Sequence, residues 1–528
     1  MLLADNYPHL VIAGVEPWGH ARPLCAFASK VALTRDVYVT LFTTPRVLER
    51  VKNEVARAFG PENAERLKLI RIVALDCEYK GEVASFADRM TNDAQCYLTA
   101  FMNEYTLLAQ EKPITCFVTK AEYPAVRAPT ALVIDFIHGP LAKMVHNLGV
   151  GPKAKVIAFS SGMVSFMYLC VAPVERGGRG NLNEKVYREV EKSGRAVADV
   201  ADEIVHDYTD EITQMPGFPK MYHYEYDPQD VSFLTKGFLG KMWMAMLDSY
   251  NDTDGVILTS PEVYEPAAVA AMKDWMTAIG RDAWAIGPLQ PSSGSKEAVA
   301  GEGAQSEKSA QIKEFMDTAL AKYGEQSMLY ISFGSAFWVS ELAKLDAFLD
   351  VVIEKNIPFI LSHGSPLAQL TDEFKTRIEH SGLGLLSQWS PQQTILGHPA
   401  LGWFVSHCGH GSTIEAVSSG VPLICWPFHA DQPANTINLT EIHDVAYELL
   451  EVRTGPNGLK PSYRTGRVHE GTSKAIRLET RAVLEKAFGD DGKRKRANAK
   501  VLQKAILSAW DKGGPAENEM VKFLNVLG

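Results

Sequence analysis

Short apolar runs alternate with amphipathic stretches along most of the chain. This is the pattern of parallel α/β folding, in which strands are buried on both faces and helices on one. The first run, HLVIAGV (His9–Val15), predicts a strand, and Leu24, Phe27 and Val31 in the following RPLCAFASKVA fall at helical spacing. VYVTLFT, LKLIRIVAL, ALVIDFI and KVIAFSS continue the strand series, and VILTS (Val256–Ser260) and WAIGP (Trp284–Pro288) close the first half. Pro291–Ala310 then breaks the rhythm. Its one large apolar side chain is Val299, so it cannot bury itself and predicts a flexible linker. The series restarts with SMLYISFGS (Ser327–Ser335) and runs through PFILSHG, LGLLSQW, LGWFVSH and PLICWPF. The expected organisation is a first domain over 1–290, a linker over 291–310, a second domain over 311–505 and a terminal piece over 506–528 with a helix around Glu517–Leu527.

Polar groups gather at the joints of residues 389–432. GWFVSH (Gly402–His407) predicts a strand, Cys408-Gly409-His410-Gly411 a turn, and STIEAVSSG a helix opening at Ser412 and closing at Gly420. A strand, a glycine turn and a helix start present free N–H groups at a positive dipole end, which suits a diphosphate. Plainer readings exist for the same residues. Ser412 and Glu415 have the spacing of a capping box, and Trp389 alone could be a core residue. In the first half, Gly19-His20 follows the first strand, where a parallel sheet exposes a side chain at its C-terminal edge. Asp135 ends ALVID on the same edge. A histidine there can take a proton at neutral pH and a carboxylate can orient it; alternatively, His20 only bonds near a helix start and Asp135 caps a loop.

The stretch 389–432 resembles the nucleotide-sugar signature of the family 1 UDP-dependent glycosyltransferases, which attach sugars to small molecules. Trp389, Pro391, Gln392, His398, His407, Gly409, Ser412, Glu415, Gly420, Pro422, Pro427, Asp431 and Gln432 all fall at the family's spacing. MPGFP (Met215–Pro219), SPEVYEP (Ser260–Pro266), AIGPL (Ala285–Leu289) and LYISFGS (Leu329–Ser335) follow the family's order, so the resemblance runs from near the start to about residue 445. It implies a GT-B fold, two Rossmann-like domains facing across a cleft, with the acceptor on the first, the donor mostly on the second, and the last helix crossing back to the first. It also implies that Trp389 stacks on uracil, Gln392 and Glu415 meet the ribose, and His407 and Ser412 meet the phosphates beside the Gly334-Ser335 turn. Asp431 and Gln432 would hold the sugar, and the terminal Gln432 favours glucose. The family's catalytic histidine and its aspartate match His20 and Asp135. Gly409 keeps the family's glycine, but His410-Gly411 stands where many plant members have Trp-Asn, on the wall that faces the sugar.

Composition narrows the partners. A formal net charge of −10 argues against a nucleic-acid partner. The basic run Lys493–Arg496 is expected to be a solvated helix face. Cys25, Cys77, Cys96, Cys116, Cys170, Cys408 and Cys425 are odd in number and show no metal-ligand spacing, so neither a disulfide framework nor a zinc site is expected. MLLADNYPHLVIAGV lacks a basic n-region and is not expected to act as a signal peptide, and the longest apolar stretch, Met163–Val174, is short of a membrane span. A cytoplasmic monomer without a membrane span is expected, unlike the anchored animal relatives.

The expected reaction is a single displacement that inverts the anomeric carbon, with a UDP-sugar as co-substrate, UDP-glucose foremost, and no separate cofactor. No metal is expected: Asp252-Thr253-Asp254 precedes a glycine and a strand, where Asp residues serve turns. The acceptor is expected to be a lipophilic alcohol or phenol, with Trp18 and Phe86 near it and the Met- and aromatic-rich Phe238–Tyr250 (FLGKMWMAMLDSY) as either pocket wall or core. Other readings are a GT-B UDP-sugar epimerase and a catalytically silent UDP-sugar-binding subunit. A dinucleotide oxidoreductase is disfavoured because Gly14…Gly19 lacks the GxGxxG spacing.

Overall fold

Each apolar run pairs side by side with another in register, and the computed structural model, which describes residues 7–83, 86–231, 236–289 and 308–528, assembles them into two parallel sheets. One compact unit comprises Met1–Asp207, Ser232–Pro291 and Ala509–Gly528; the other comprises Tyr208–Val231 and Ser292–Ser508. Each is a Rossmann-like α/β body, the construction of the GT-B fold.

The first unit carries β1 (His9–Ala13), β2 (Tyr38–Thr43), β3 (Ile70–Ala74), β4 (Ala131–Asp135), β5 (Lys155–Ser160), β6 (Gly255–Leu258) and β7 (Asp282–Ala285). Their order is β7-β6-β5-β4-β1-β2-β3, all parallel. HLVIA and ALVID are buried at every position, as strands covered on both faces must be. The chain leaves β1 toward β2 on one side and later fills β4 on the other, so the sheet's switch point lies between β1 and β4. In open α/β sheets that is where the crevice outside the strand ends binds ligands. The core includes Leu10, Ile12, Val133 and Phe159, and it takes in Met520, Phe523 and Leu524 from the terminal helix Pro515–Asn525. The Phe523 ring sits 5.4 Å from those of Phe27 and Trp284, and Arg35 donates to the Leu524 carbonyl at 2.8 Å.

The second unit carries β8 (Met328–Ser332), β9 (Phe359–Ser362), β10 (Gly384–Ser387), β11 (Leu401–Ser406), β12 (Leu423–Cys425) and β13 (Ala446–Glu448). Their order is β10-β9-β8-β11-β12-β13, again all parallel, with the switch point between β8 and β11. Leu329, Ile331, Phe359, Trp403, Val405 and Trp426 form its core.

Three expectations differ from what forms. The first domain was expected to run unbroken to residue 290, yet Tyr208–Val231 belongs with the second unit. This stretch has little regular structure and satisfies its polar groups there: Gln229 donates to the Val452 carbonyl at 3.1 Å, the Asp230 N–H to Thr454 Oγ1 at 2.8 Å, and Val231 enters the second core. Periodicity cannot register a segment that contributes caps and turns. At the expected linker, residues 291–307 lie outside the described residues, and the helix Ser309–Tyr323 begins inside its range. The basic run is solvated only in part. Lys493 is exposed, but Lys495 is buried against Asp444 and Tyr447, and Arg496 donates to the Gly402 carbonyl. Burial pushes Arg496 down to about 10.

No helix among the described residues is long and apolar enough to cross a membrane. All seven cysteines are free thiols.

Candidate functional site

In the first unit, helix Trp18–Thr34 starts just past β1 and brings His20 to the switch point, where β4 ends in Asp135. His20 Nδ1 lies 3.2 Å from Asp135 Oδ1 and 3.1 Å from Oδ2. The carboxylate is fully buried, while the imidazole is 30% exposed. Asp135 Oδ1 also accepts from the Ile137 N–H at 3.2 Å, capping the short helix Phe136–His138. Asp135 therefore both caps this short helix and contacts His20. Ser161, one residue beyond β5, completes the cluster: its Oγ is 3.0 Å from His20 Nδ1 and donates to Asp135 Oδ2 at 3.3 Å. A carboxylate at Nδ1 fixes the tautomer whose lone pair is on Nε2. This arrangement can accept a proton at Nε2 and stabilise the imidazolium that results.

Trp18, two residues before His20, has the Arg50 guanidinium 3.7 Å over its ring. Phe86 opens the helix Phe86–Ala109, and its side chain lies outside the described residues. In Phe238–Tyr250, Met244, Met246 and Tyr250 are buried, and Tyr250 donates to Ser160 Oγ at 2.7 Å. Asp252 ends the helix Leu239–Asp252 beside Lys143 at 3.1 Å, and Asp254 accepts the N–H of Val156 at 2.8 Å, so neither side chain is seen to serve the turn. Among the described residues no group of His, Cys, Asp and Glu is placed to hold a metal ion.

In the second unit, the turns after β8 and β11 close on one imidazole. A Cβ on Gly334 would stand 2.7 Å from His407 Nε2, and one on Gly409 would stand 2.6 Å from it. Gly334 also has φ +78, so glycine is required there twice over. Burial pushes His407 down to about 4, which keeps it a neutral imidazole. The left-handed residue of the second turn is not a glycine but Cys408, at φ +64, whose N–H donates to Ser406 Oγ at 3.1 Å.

The helix after this turn runs from His410 to Ser418 with Gly409 as its N-cap, so it opens earlier than the expected Ser412. Ser412 therefore lies inside the first turn, and the Ser412–Glu415 capping box does not form. Glu415, buried, instead takes two amides from the helix Gln392–Leu396: Gln392 Nε2, and Gln393 Nε2 at 3.3 Å. Gln392 Nε2 also lies 3.4 Å from Ser412 Oγ. Trp389 is half-buried just ahead of this helix. His410 is buried and pushed down to about 4 by that burial, and beside it Gly411 has open space where a side chain would stand. Asp431 is the half-buried N-cap of the helix Gln432–Ile437. Gln432 is buried, and its Oε1 accepts from the N–H groups of Phe428 (2.8 Å) and His429 (3.2 Å).

The comparisons with known proteins meet this geometry. The family model described as UDP-glucoronosyl and UDP-glucosyl transferase matches residues 241–453, which include the whole of the second-unit arrangement from Gly334 to Gln432. The UDP-glycosyltransferase eriJ of Hericium erinaceus is 28% identical over 533 residues, covering 99% of each chain. Together they indicate a family 1 UDP-dependent glycosyltransferase. Among solved structures, this glycosyltransferase resembles Medicago truncatula UGT71G1 complexed with UDP-glucose, with a TM-score of 0.67, 16% identity and 99% of each chain covered. It is also similar to Phytolacca americana UGT2 complexed with UDP-2fluoro-glucose and pterostilbene, with a TM-score of 0.66, 17% identity and 99% of each chain covered. These two likenesses show the GT-B fold.

Three residues of this glycosyltransferase's site escaped the sequence reading. Ser161 follows the run KVIAFS, and its meaning depends on β5 lying beside β4, which no local pattern reveals. Gln393 neighbours Gln392 and gave no separate signal. Tyr208 reaches His429 from far along the chain, at 2.8 Å.

Proposed function

We propose that this glycosyltransferase is an inverting enzyme that moves glucose from UDP-glucose to a hydroxyl of a lipophilic small molecule, with His20 as general base. The observation that carries this reading is the buried carboxylate of Asp135 gripping His20 Nδ1, with Ser161 beside both, at the ligand-binding edge of the first sheet. His20 Nε2 takes the proton of the acceptor hydroxyl as that oxygen attacks the anomeric carbon. The bond from that carbon to the UDP oxygen breaks, and the α-linked donor yields a β-glycoside. The Asp135 carboxylate stabilises the imidazolium that forms. Such a base contributes about 10²–10⁴-fold in rate.

In the second unit, the diphosphate lies against the N-terminal N–H groups of His410–Ser418, with Ser412, the neutral His407 and the Gly334-Ser335 turn completing its cradle. Trp389 stacks on uracil, and Gln392 and Glu415 take the ribose hydroxyls. Asp431 and Gln432 hold the sugar. Because Gln432 Oε1 is occupied by backbone N–H groups, its amide N–H groups are the ones that serve the sugar. Glucose as donor is supported by the UDP-glucose and UDP-2fluoro-glucose named with the two structural neighbours, and a lipophilic phenol as acceptor by the pterostilbene named with one of them.

The test is UDP release by purified protein across several UDP-sugars, with and without a pool of lipophilic phenols and alcohols, with products read by mass. Acceptor-dependent UDP release with a gain of one anhydrohexose is expected. In His20→Ala, transfer is expected to fall by about 10²–10⁴-fold with UDP affinity unchanged. Full transfer by that variant would remove His20 from the role of base, and donor conversion without acceptor would move the enzyme to the epimerase class.

A further inference from the structure

We propose that Tyr208 is a positioning residue for the donor sugar, acting through His429 on the loop that carries Asp431 and Gln432. This rests on the reading, given above, that Asp431 and Gln432 hold the sugar.

The loop Phe428–Gln432 follows β12 and contains one strained residue, Ala430 at φ +58, between His429 and Asp431. A non-glycine residue in the left-handed region persists only where its surroundings over-determine it. Two sets of contacts do so here. From within the loop, Gln432 Oε1 accepts from the Phe428 and His429 N–H groups at 2.8 and 3.2 Å. From outside it, Tyr208 Oη lies 2.8 Å from His429 Nε2, a hydrogen bond whose direction follows the imidazole tautomer. The two rings meet edge to face at 6.3 Å and 87°. His429 is 3% exposed, so its ring is closely enclosed where Tyr208 meets it.

Tyr208 is itself placed firmly. It is the first residue of the segment Tyr208–Val231, which belongs to the second unit. The His223 ring packs 5.2 Å from its own, and His223 Nδ1 accepts the Thr209 N–H at 3.3 Å. Farther along, the segment is tied down by Gln229 and Asp230. The hydroxyl therefore fixes His429, His429 fixes the turn at Ala430, and the turn sets where the Asp431 carboxylate and the Gln432 amide point. Uridine and diphosphate are held elsewhere, by Trp389, Gln392, Glu415 and the helix start at His410. Loss of the tyrosine hydroxyl should consequently be felt by the sugar alone.

The experiment compares binding of UDP and UDP-glucose, by calorimetry without acceptor, in the parent, Tyr208→Phe, His429→Phe and Asp431→Asn, with donor KM and kcat measured alongside. Tyr208→Phe is expected to weaken UDP-glucose by roughly five- to tenfold, the effect of one buried hydrogen bond, with UDP affinity unchanged. Donor KM should rise by the same factor while kcat is largely kept. His429→Phe should match it, and the double variant should be no worse than either, because both remove one interaction. Parent-like UDP-glucose binding in Tyr208→Phe, with Asp431→Asn impaired, would overturn the inference while leaving the donor-loop reading intact. Equal weakening of UDP and UDP-glucose in Tyr208→Phe would overturn it as well, since that marks a general disturbance of the unit. Unimpaired sugar binding in Asp431→Asn would sink the donor-loop reading, and the role of Tyr208 with it.

Discussion

At the residue scale, the cluster of His20, Asp135 and Ser161 assigns different weights to its members. Asp135 is buried and offers both oxygens to His20, which in the proposed reaction fixes the tautomer and balances the imidazolium charge. Ser161 only adds a neutral hydroxyl to the same two partners. Asp135→Asn is therefore expected to lower kcat by about 10²–10³-fold, and Ser161→Ala by roughly five- to tenfold, the effect of one hydrogen bond, both read by UDP release at saturating donor. Equal losses in the two variants would mean that the serine, and not the carboxylate alone, sets the tautomer. His20 and Asp135 were legible in the sequence because each ends or follows an apolar run, and parallel strands put those positions on one edge. Ser161 also follows such a run, but so do Ser260 and Ser387, and only the strand order singles out β5 as the neighbour of β4.

At the element scale, the glycine turns after β8 and β11 were legible as turns, but their shared fit around His407 was not. Each leaves room for the same imidazole, a coincidence between positions far apart in sequence. The boundary of the following helix was misplaced for a related reason. A serine followed three residues later by a glutamate reads as a cap, but Gly409 starts the helix, and Glu415 is claimed by Gln392 and Gln393 instead. The turns can be tested separately from their backbone angles. Gly409 has φ −58, which any residue accepts, so Gly409→Ala introduces only the overlap with His407 at 2.6 Å. UDP affinity is expected to fall by roughly five- to 150-fold, given the roughly 1–3 kcal/mol of overpacking, while Gly334→Ala adds left-handed strain of about 1–2 kcal/mol and loses more thermal stability. Calorimetry with UDP and thermal melting distinguish the two effects; unaltered UDP binding in Gly409→Ala would show that His407 moves aside without cost to the phosphates.

At the scale of the whole molecule, buried histidines make stability depend on pH in a direction that can be worked out. Burial pushes His138, His407 and His410 down to about 4, and burial together with the Arg71 charge pushes His9 down to about 3. In the unfolded chain such groups take up protons near 6.5. As pH falls below that value, the unfolded chain binds protons that the folded chain refuses, so stability is full above about 6.5 and is lost as pH falls through about 4. For His138 alone, the displacement from 6.5 to about 4 amounts to roughly 3 kcal/mol. Glu479 opposes this, since burial pushes it up to about 7; its contribution is present below the ordinary glutamate value and is lost as pH rises through about 7. His469, likewise pushed down to about 4 by burial, adds to the histidines, while Glu104, Glu225, Asp248, Glu265 and Asp346, raised by burial, stand with Glu479. The five strongly displaced histidines dominate, so Tm is expected to fall between pH 6.5 and 4. His138 permits a direct check, because its Nδ1 has no hydrogen-bond partner among the described residues and its ring stacks on Tyr97 with centroids 4.6 Å apart. His138→Phe keeps the stack, removes the titrating group and leaves no new orphan, so the fall in Tm over this range should become shallower. A slope identical to that of the parent would mean that His138 takes up its proton within the folded protein, beside Asp135, and is not kept neutral by burial.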